Sequence, residues 1–147
     1  YDRALCRPVA QVLQRLGSEH VLVVHSEDGL DEISLAADTH VAELKDGVVS
    51  EYTLEPEQLG FERQGMQDLV VDGVEQSLLL ITSALAGEKD FRSQRAANMI
   101  ALNAGAALYV AGVAASIADG VNTANGILAN GAGLEKLQQL AAMTRSF

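Results

Sequence analysis

Residues 99–118 read MIALNAGAALYVAGVAASIA, a stretch without one charged side chain and long enough to span a bilayer. Such a run permits two structures: a membrane span, or a helix surrounded by other protein. Composition decides between them. Half of the stretch is Ala and Gly, which contribute little transfer free energy, Asn103 and Ser116 interrupt it, and Lys and Arg are sparse at its flanks. Small side chains instead let helix backbones approach closely. The stretch is therefore expected to belong to a central buried helix that begins near Arg92 and ends near Gly112.

Its neighbours follow from apolar spacing. Val74, Leu78, Ile81 and Leu85 form one helical stripe, stopped by Gly87. Ser116 followed by Asp119 has the pattern of a capping box, opening a helix striped by Ile117, Val121, Ala124 and Leu128. Leu134, Leu137 and Leu140 or Ala141 stripe a last helix. At the other end, Val9, Val12, Leu13 and Leu16 recur at helical spacing, with Pro8 suited to a first turn and Gly17 to a stop.

Between these helical ends the pattern changes. HVLVVHS, residues 20–26, is a short Val-rich apolar run, expected as a strand covered on both faces. THVAELKDG and VVSEYTL then flank Asp46-Gly47, whose Asp-Gly pair suits a tight hairpin turn; both strands are expected near an edge with one wet face. The polar stretch LEPEQLGFERQGMQDLVVDG reads as a long connection with one helical turn. The expected fold is α/β: the C-terminal part of a mainly parallel sheet domain with an antiparallel hairpin, flanked by several α-helices. A buried parallel strand needs parallel neighbours. These are expected upstream of Tyr1, and the missing initiator Met agrees with a piece of a longer protein.

With 147 residues, of which 48% are hydrophobic, the chain has the size of one domain and a real core. A net charge of −10 argues against a sequence-independent grip on nucleic-acid phosphates and against an anionic membrane surface. Cys6 is the only cysteine, so no disulfide or thiolate metal site forms within the chain. No N-terminal signal pattern is visible, and the expected location is cytoplasmic.

The acidic loop carries the chemistry. Glu27, Asp28, Asp31 and Glu32 crowd into SEDGLDEIS directly after the apolar strand, where like charges repel. In open α/β sheets, ligands bind beyond the carboxyl ends of strands. There, adjacent Asp31 and Glu32 could hold magnesium, which takes one or two carboxylates and completes its shell with water and phosphate oxygens. A solvated loop leading into a helix cap is the other reading of the same residues. The EF-hand spacing and its late Glu are missing, and GAGLEK is too short for a phosphate loop. Cys6, His20, His25, His40 and Asn103 carry no ligand spacing; Asn103 and His25 are expected as structural hydrogen-bonding residues.

Three stretches in this order, YDRALCRPVAQVLQRLG, VHSEDGLDEIS and LNAGAALYVAGVAASIADGV, resemble the C-terminal part of the anthranilate phosphoribosyltransferase family, and LANGAGLEKLQQL resembles its last helix. The resemblance covers essentially the whole chain, and DGLDEIS is its most specific piece. It implies transfer of phosphoribose from phosphoribosyl diphosphate to the amine of anthranilate in tryptophan biosynthesis, with Mg2+ as cofactor. It also implies a fold similar to class II pyrimidine nucleoside phosphorylases.

The metal residues carried over are Asp31 and Glu32; no catalytic residue is expected in this segment. Glu27 and Asp28 are expected as solvent-facing residues that add negative potential. Residues 1–147 would be a partial glycosyltransferase α/β domain. The family's helical domain, through which a homodimer is expected, and its GTGGD and KHGN elements do not occur here, so the segment alone is expected to be inactive. Ser26 stands where the family usually has Gly. The alternatives are a pyrimidine nucleoside phosphorylase-like enzyme and a non-catalytic family member.

Overall fold

The computed structural model describes residues 2–145; Tyr1, with which the first family-like stretch begins, lies outside them. After a single 3-10 turn, α1 (Cys6–Arg15) leads into strand β1 (Val21–Ser26). The acidic loop follows, then the hairpin β2 (Thr39–Lys45) and β3 (Val48–Leu54). The connection contains two short 3-10 turns, Pro56–Leu59 and Gln67–Leu69. Helices α2 (Val74–Leu85), α3 (Phe91–Val110), α4 (Ile117–Ala129) and α5 (Ala132–Thr144) complete the chain. The α/β class, the hairpin and the helical surround are as the sequence leads one to expect. The hairpin turn is the Asp-Gly one: Asp46 and Gly47 have φ of 51° and 75°, which matches the right-handed twist of the flanking strands.

The three described strands form an antiparallel sheet in the order β1-β2-β3, with Val24 opposite Val41 and Val41 opposite Tyr52. Here the burial of individual strands departs from the reading of the sequence. β2, expected to have a wet face, is buried from Thr39 to Leu44, whereas β1, expected to be covered on both faces, is half-buried over most of its length. Position in the sheet is the reason. β2 lies between two strands and also between two layers of helix. Cys6 and Ala10 of α1 pack on Ala42, with Val23 and Val49 around them. On the opposite face, Leu102 and Ala106 of α3 and Ile117 and Val121 of α4 pack with Val41, Leu54, Ile33 and Leu35.

The polar residues of β2 are buried with partners, as burial requires. Glu43 accepts hydrogen bonds from Tyr109 Oη at 2.7 Å and pairs with His20 Nε2 at 2.9 Å. His40 pairs with Glu51 at 3.2 Å, and Thr39 Oγ1 accepts from the Ser34 amide at 3.2 Å. Burial pushes the Tyr52 phenol up from its ordinary pKa, and the Glu43 charge adds to that.

Helix α3 is central, as its uncharged stretch requires. It crosses α4 where Gly105 meets Gly120: a Cβ on Gly105 would stand 2.5 Å from the Val121 amide, and one on Gly120 would collide with the Gly105 carbonyl. Close approach of two backbones explains the small residues. No helix among the described residues is long and apolar enough to cross a membrane. Half of the expected capping box forms: the Asp119 amide donates to Ser116 Oγ at 3.1 Å, but Asp119 Oδ2 accepts from the Ser116 hydroxyl at 2.7 Å rather than from its backbone amide. All four stripe residues of α4 are buried. Other apolar stripes are more open. On α1, Val12 and Leu16 are exposed and the buried positions are Cys6 and Ala10; on α2, Val74 and Leu78 are exposed and Ala84 is buried.

Candidate functional site

The loop after β1 leaves the sheet by a tight turn. The Gly29 amide donates to the Ser26 carbonyl at 3.0 Å, and Gly29 has a φ of 90°, which glycine adopts without steric cost. The amide of Glu27 donates to the Asp38 carbonyl at 2.9 Å, joining the start of the loop to its end. Ser26 itself is fully buried, and its hydroxyl faces the same Asp38 carbonyl at 3.4 Å. A serine is thus accommodated where the resembled family usually has glycine.

Asp28 does more than face solvent. Its Oδ2 accepts from Ser34 Oγ at 2.6 Å, and its Oδ1 accepts from the Leu30 amide at 3.2 Å. Burial works against its ionisation, but hydrogen bonds from Ser34, Ser26 and Leu30 outweigh it and hold the carboxyl below its ordinary pKa. Although Asp28 is exposed overall, its carboxylate is the inner brace of the loop. Glu27 and Asp28 are both exposed, as expected, and the bracing role of Asp28 is added to that expectation.

Within the span that this brace closes, the chain is tied a second time. The Ile33 amide donates to Asn103 Oδ1 at 2.9 Å, and Asn103 Nδ2 donates to the Ile33 carbonyl at 2.9 Å and to the Met99 carbonyl at 3.1 Å. Asn103 therefore acts as a hydrogen-bonding residue, in line with its reading from sequence. Ile33 and Leu35 are buried in the core, and Ser34 Oγ accepts from the Ala36 amide at 2.9 Å. Beyond, Arg63 joins Asp38 at 2.6 Å to Glu57 at 2.9 Å.

Asp31 and Glu32 lie between the bonded amides of Leu30 and Ile33, and both are exposed. Adjacent carboxylates are thus presented to solvent on a segment whose backbone is fastened on either side. Among the described residues no group of three or more His, Cys, Asp or Glu side chains is placed to hold a metal ion. The donor set at this loop is two hard oxygen ligands, which suits a magnesium ion that draws its remaining ligands from water and a bound phosphate. His20 is remote in role: it precedes β1 and pairs with Glu43 at the other end of the strand. The bracing role of Asp28 was not read from sequence, and its partners Ser34, Thr39 and Arg63 were not singled out there. Asp28 and Leu30 alone carried a local signal, the spacing of an Asx turn.

A mixed α/β domain with an acidic loop after a strand defines a class, and comparison with known proteins gives the class its family. The glycosyl transferase family, a/b domain, matches residues 1–134, and the chain belongs to that family. Over all 147 residues it is 57% identical to the anthranilate phosphoribosyltransferase of Ectopseudomonas mendocina and 58% identical to that of Pseudomonas fluorescens. In both cases it spans 42% of the relative's length. Among solved structures it is similar to anthranilate phosphoribosyltransferase from Thermus thermophilus, with 34% identity and a TM-score of 0.86 over 99% of this chain and 41% of that one. It also shares the fold of the Saccharomyces cerevisiae enzyme in complex with PRPP and Mg, at 20% identity and a TM-score of 0.84 over 100% of this chain and 42% of that one.

Proposed function

We propose that the chain forms the C-terminal share of an anthranilate phosphoribosyltransferase, a partial glycosyltransferase α/β domain that supplies the acidic half of a magnesium–diphosphate site. The observation that carries this reading is the presentation of Asp31 and Glu32, exposed and adjacent, inside the Asp28–Ser34 brace and directly before the Asn103–Ile33 tie. The relatives at 57% and 58% identity support the choice of reaction.

In that reaction the amine of anthranilate bonds to the anomeric carbon of the ribose, the bond to the diphosphate oxygen breaks, and the amine loses a proton. Asp31 and Glu32 would hold Mg2+ through their carboxylate oxygens. The ion, when bound, neutralises negative charge on the departing diphosphate. The fastened loop contributes by fixing the backbone that carries both carboxylates before substrate arrives, so that less reorganisation is needed as charge separates. Groups that contact the anthranilate and the ribose belong to the rest of the protein, as does the homodimer contact expected of the family. Tryptophan biosynthesis in the cytoplasm is the setting that follows from this reading.

The test is the double variant Asp31→Asn with Glu32→Gln in the full-length protein. Turnover should fall by two orders of magnitude or more, and the magnesium concentration for half-maximal rate should rise. An unchanged rate and magnesium titration would make the loop a solvated surface. Release of diphosphate from phosphoribosyl diphosphate, rather than release of base from a pyrimidine nucleoside, separates this reaction from a phosphorylase.

A further inference from the structure

The pairing of Asn103 with Ile33 is closed on both sides. One carboxamide satisfies the amide and the carbonyl of the same residue, each at 2.9 Å, as a neighbouring strand would. The amide group can satisfy this pair in only one orientation, because a reversed carboxamide would set donor against donor and acceptor against acceptor. A third bond, from Nδ2 to the Met99 carbonyl at 3.1 Å, ties the carboxamide to its own helix. The tie reaches from residue 103 to residue 33, so nothing local in the loop supplies it.

Its position gives it a consequence for the acidic pair. The Ile33 amide belongs to the peptide unit that joins Glu32 to Ile33, so Asn103 fixes the orientation of the peptide plane immediately after Glu32. On the other side, the Leu30 amide is bound to the Asp28 carboxylate, which also spans the pair to reach Ser34. The Asp28 brace closes on the loop itself, whereas the Asn103 tie connects the loop to the central helix, whose place is set by the core. Ile33 and Leu102, the neighbour of Asn103 on α3, share that core cluster.

We propose that Asn103 is a positioning residue for the Asp31–Glu32 pair: it fixes the backbone that aims the carboxylates and so sets affinity for the magnesium-bound diphosphate without touching either. The proposal rests on the assignment of Asp31 and Glu32 to that site. Partners that orient metal ligands typically change metal affinity by about 10- to 100-fold when removed. A tie acting through one peptide plane belongs at the lower end.

The experiment uses the full-length protein with Asn103→Ala, the isosteric Asn103→Asp and, as a reference, Glu32→Gln. Asn103→Asp keeps an acceptor for the Ile33 amide, loses the donor to the Ile33 carbonyl, and preserves side-chain shape if the alanine variant fails to fold. Magnesium is titrated calorimetrically in the presence of inorganic diphosphate, and KM is measured separately for phosphoribosyl diphosphate and anthranilate. Both Asn103 variants should weaken magnesium binding roughly tenfold and raise KM for phosphoribosyl diphosphate, with KM for anthranilate unchanged. Combined with Glu32→Gln, Asn103→Ala should add less than it costs alone, because both act on one element.

If Glu32→Gln shifts the magnesium titration and the Asn103 variants do not, the positioning role is overturned and the acidic site stands. Should Glu32→Gln leave the titration unchanged, the site assignment fails and the role of Asn103 fails with it. Equal losses for magnesium and for anthranilate, in step with a lowered melting temperature, would make Asn103 a structural residue only and overturn the proposal.

Discussion

Ser34 donates its hydroxyl hydrogen to Asp28 across 2.6 Å, so the acidic loop is braced by a residue six positions further along the chain. The same serine oxygen accepts from the Ala36 amide at 2.9 Å, and Ser34 is fully buried. One small side chain thus bonds the loop on one side and the approach to β2 on the other.

Replacing Ser34 with alanine removes both bonds while leaving the volume nearly unchanged. A hydrogen bond to a charged group contributes about 1.5–3 kcal/mol when buried, and the exposure of Asp28 puts this one at or below the lower end. Ser34→Ala should therefore destabilise the protein by about 1–2 kcal/mol in urea unfolding. Because Asp28 loses the strongest bond to its ionised form, its carboxyl should titrate at higher pH in the variant. A carboxyl titration identical to that of the parent, followed by carbon-detected NMR, would show that the brace does not act on Asp28.

Two glycines of one helix should respond in opposite directions to the same substitution. At Gly126 an added methyl meets open space, and alanine is the better helix former by about 0.8–1.0 kcal/mol, so Gly126→Ala should stabilise. At Gly120 the methyl would be driven into the backbone of Gly105, and overpacking typically costs about 1–3 kcal/mol, more where the obstacle is backbone. The collision outweighs the propensity, and Gly120→Ala should lower the melting temperature. A rise for both variants would mean that α3 and α4 do not cross at these residues.

Glu43 is expected to make stability depend on acid. Burial alone would raise its pKa, but hydrogen bonds from Tyr109, His20 and Tyr52 outweigh it and hold the carboxyl below its ordinary value of 4.5. A group with a depressed folded pKa binds its proton more readily in the unfolded chain. Its contribution is complete above the unfolded value and is lost as pH falls through the folded one. Glu43→Gln should therefore flatten the decline in stability below about pH 4.5 relative to the parent. Urea midpoints across pH 3 to 7 check this, and parallel curves for the two proteins would remove Glu43 as the source.

Much of the architecture was legible because it depends on local chemistry. The Asp46-Gly47 turn, the Ser116–Asp119 cap and the stop of α1 before Gly17 need only a few neighbouring residues to favour them. The uncharged face of α3 likewise marked it as central before any partner was known. The acidic loop could be placed at a strand end for the same reason, and its adjacent Asp31 and Glu32 could be set apart as potential ligands of a hard cation.

What the sequence determined by itself was therefore the kind and order of elements, through turn chemistry, capping and hydrophobic period. Which strand would be buried was settled only by tertiary structure: β1 looked the more hydrophobic, yet β2 lies between strands and between helices, and its Glu43 and His40 are tolerated because distant residues pair with them. The loop shows the same division. Its four carboxylates are written in nine consecutive letters, but a string of charges does not say which of them is held. Asp28 became a brace and Asp31 and Glu32 stayed exposed because Ser34 folds back and Asn103 arrives from a helix 70 residues away. Hydrogen bonds of that span are set by how helices and sheet pack, a property of the whole chain that no short window contains.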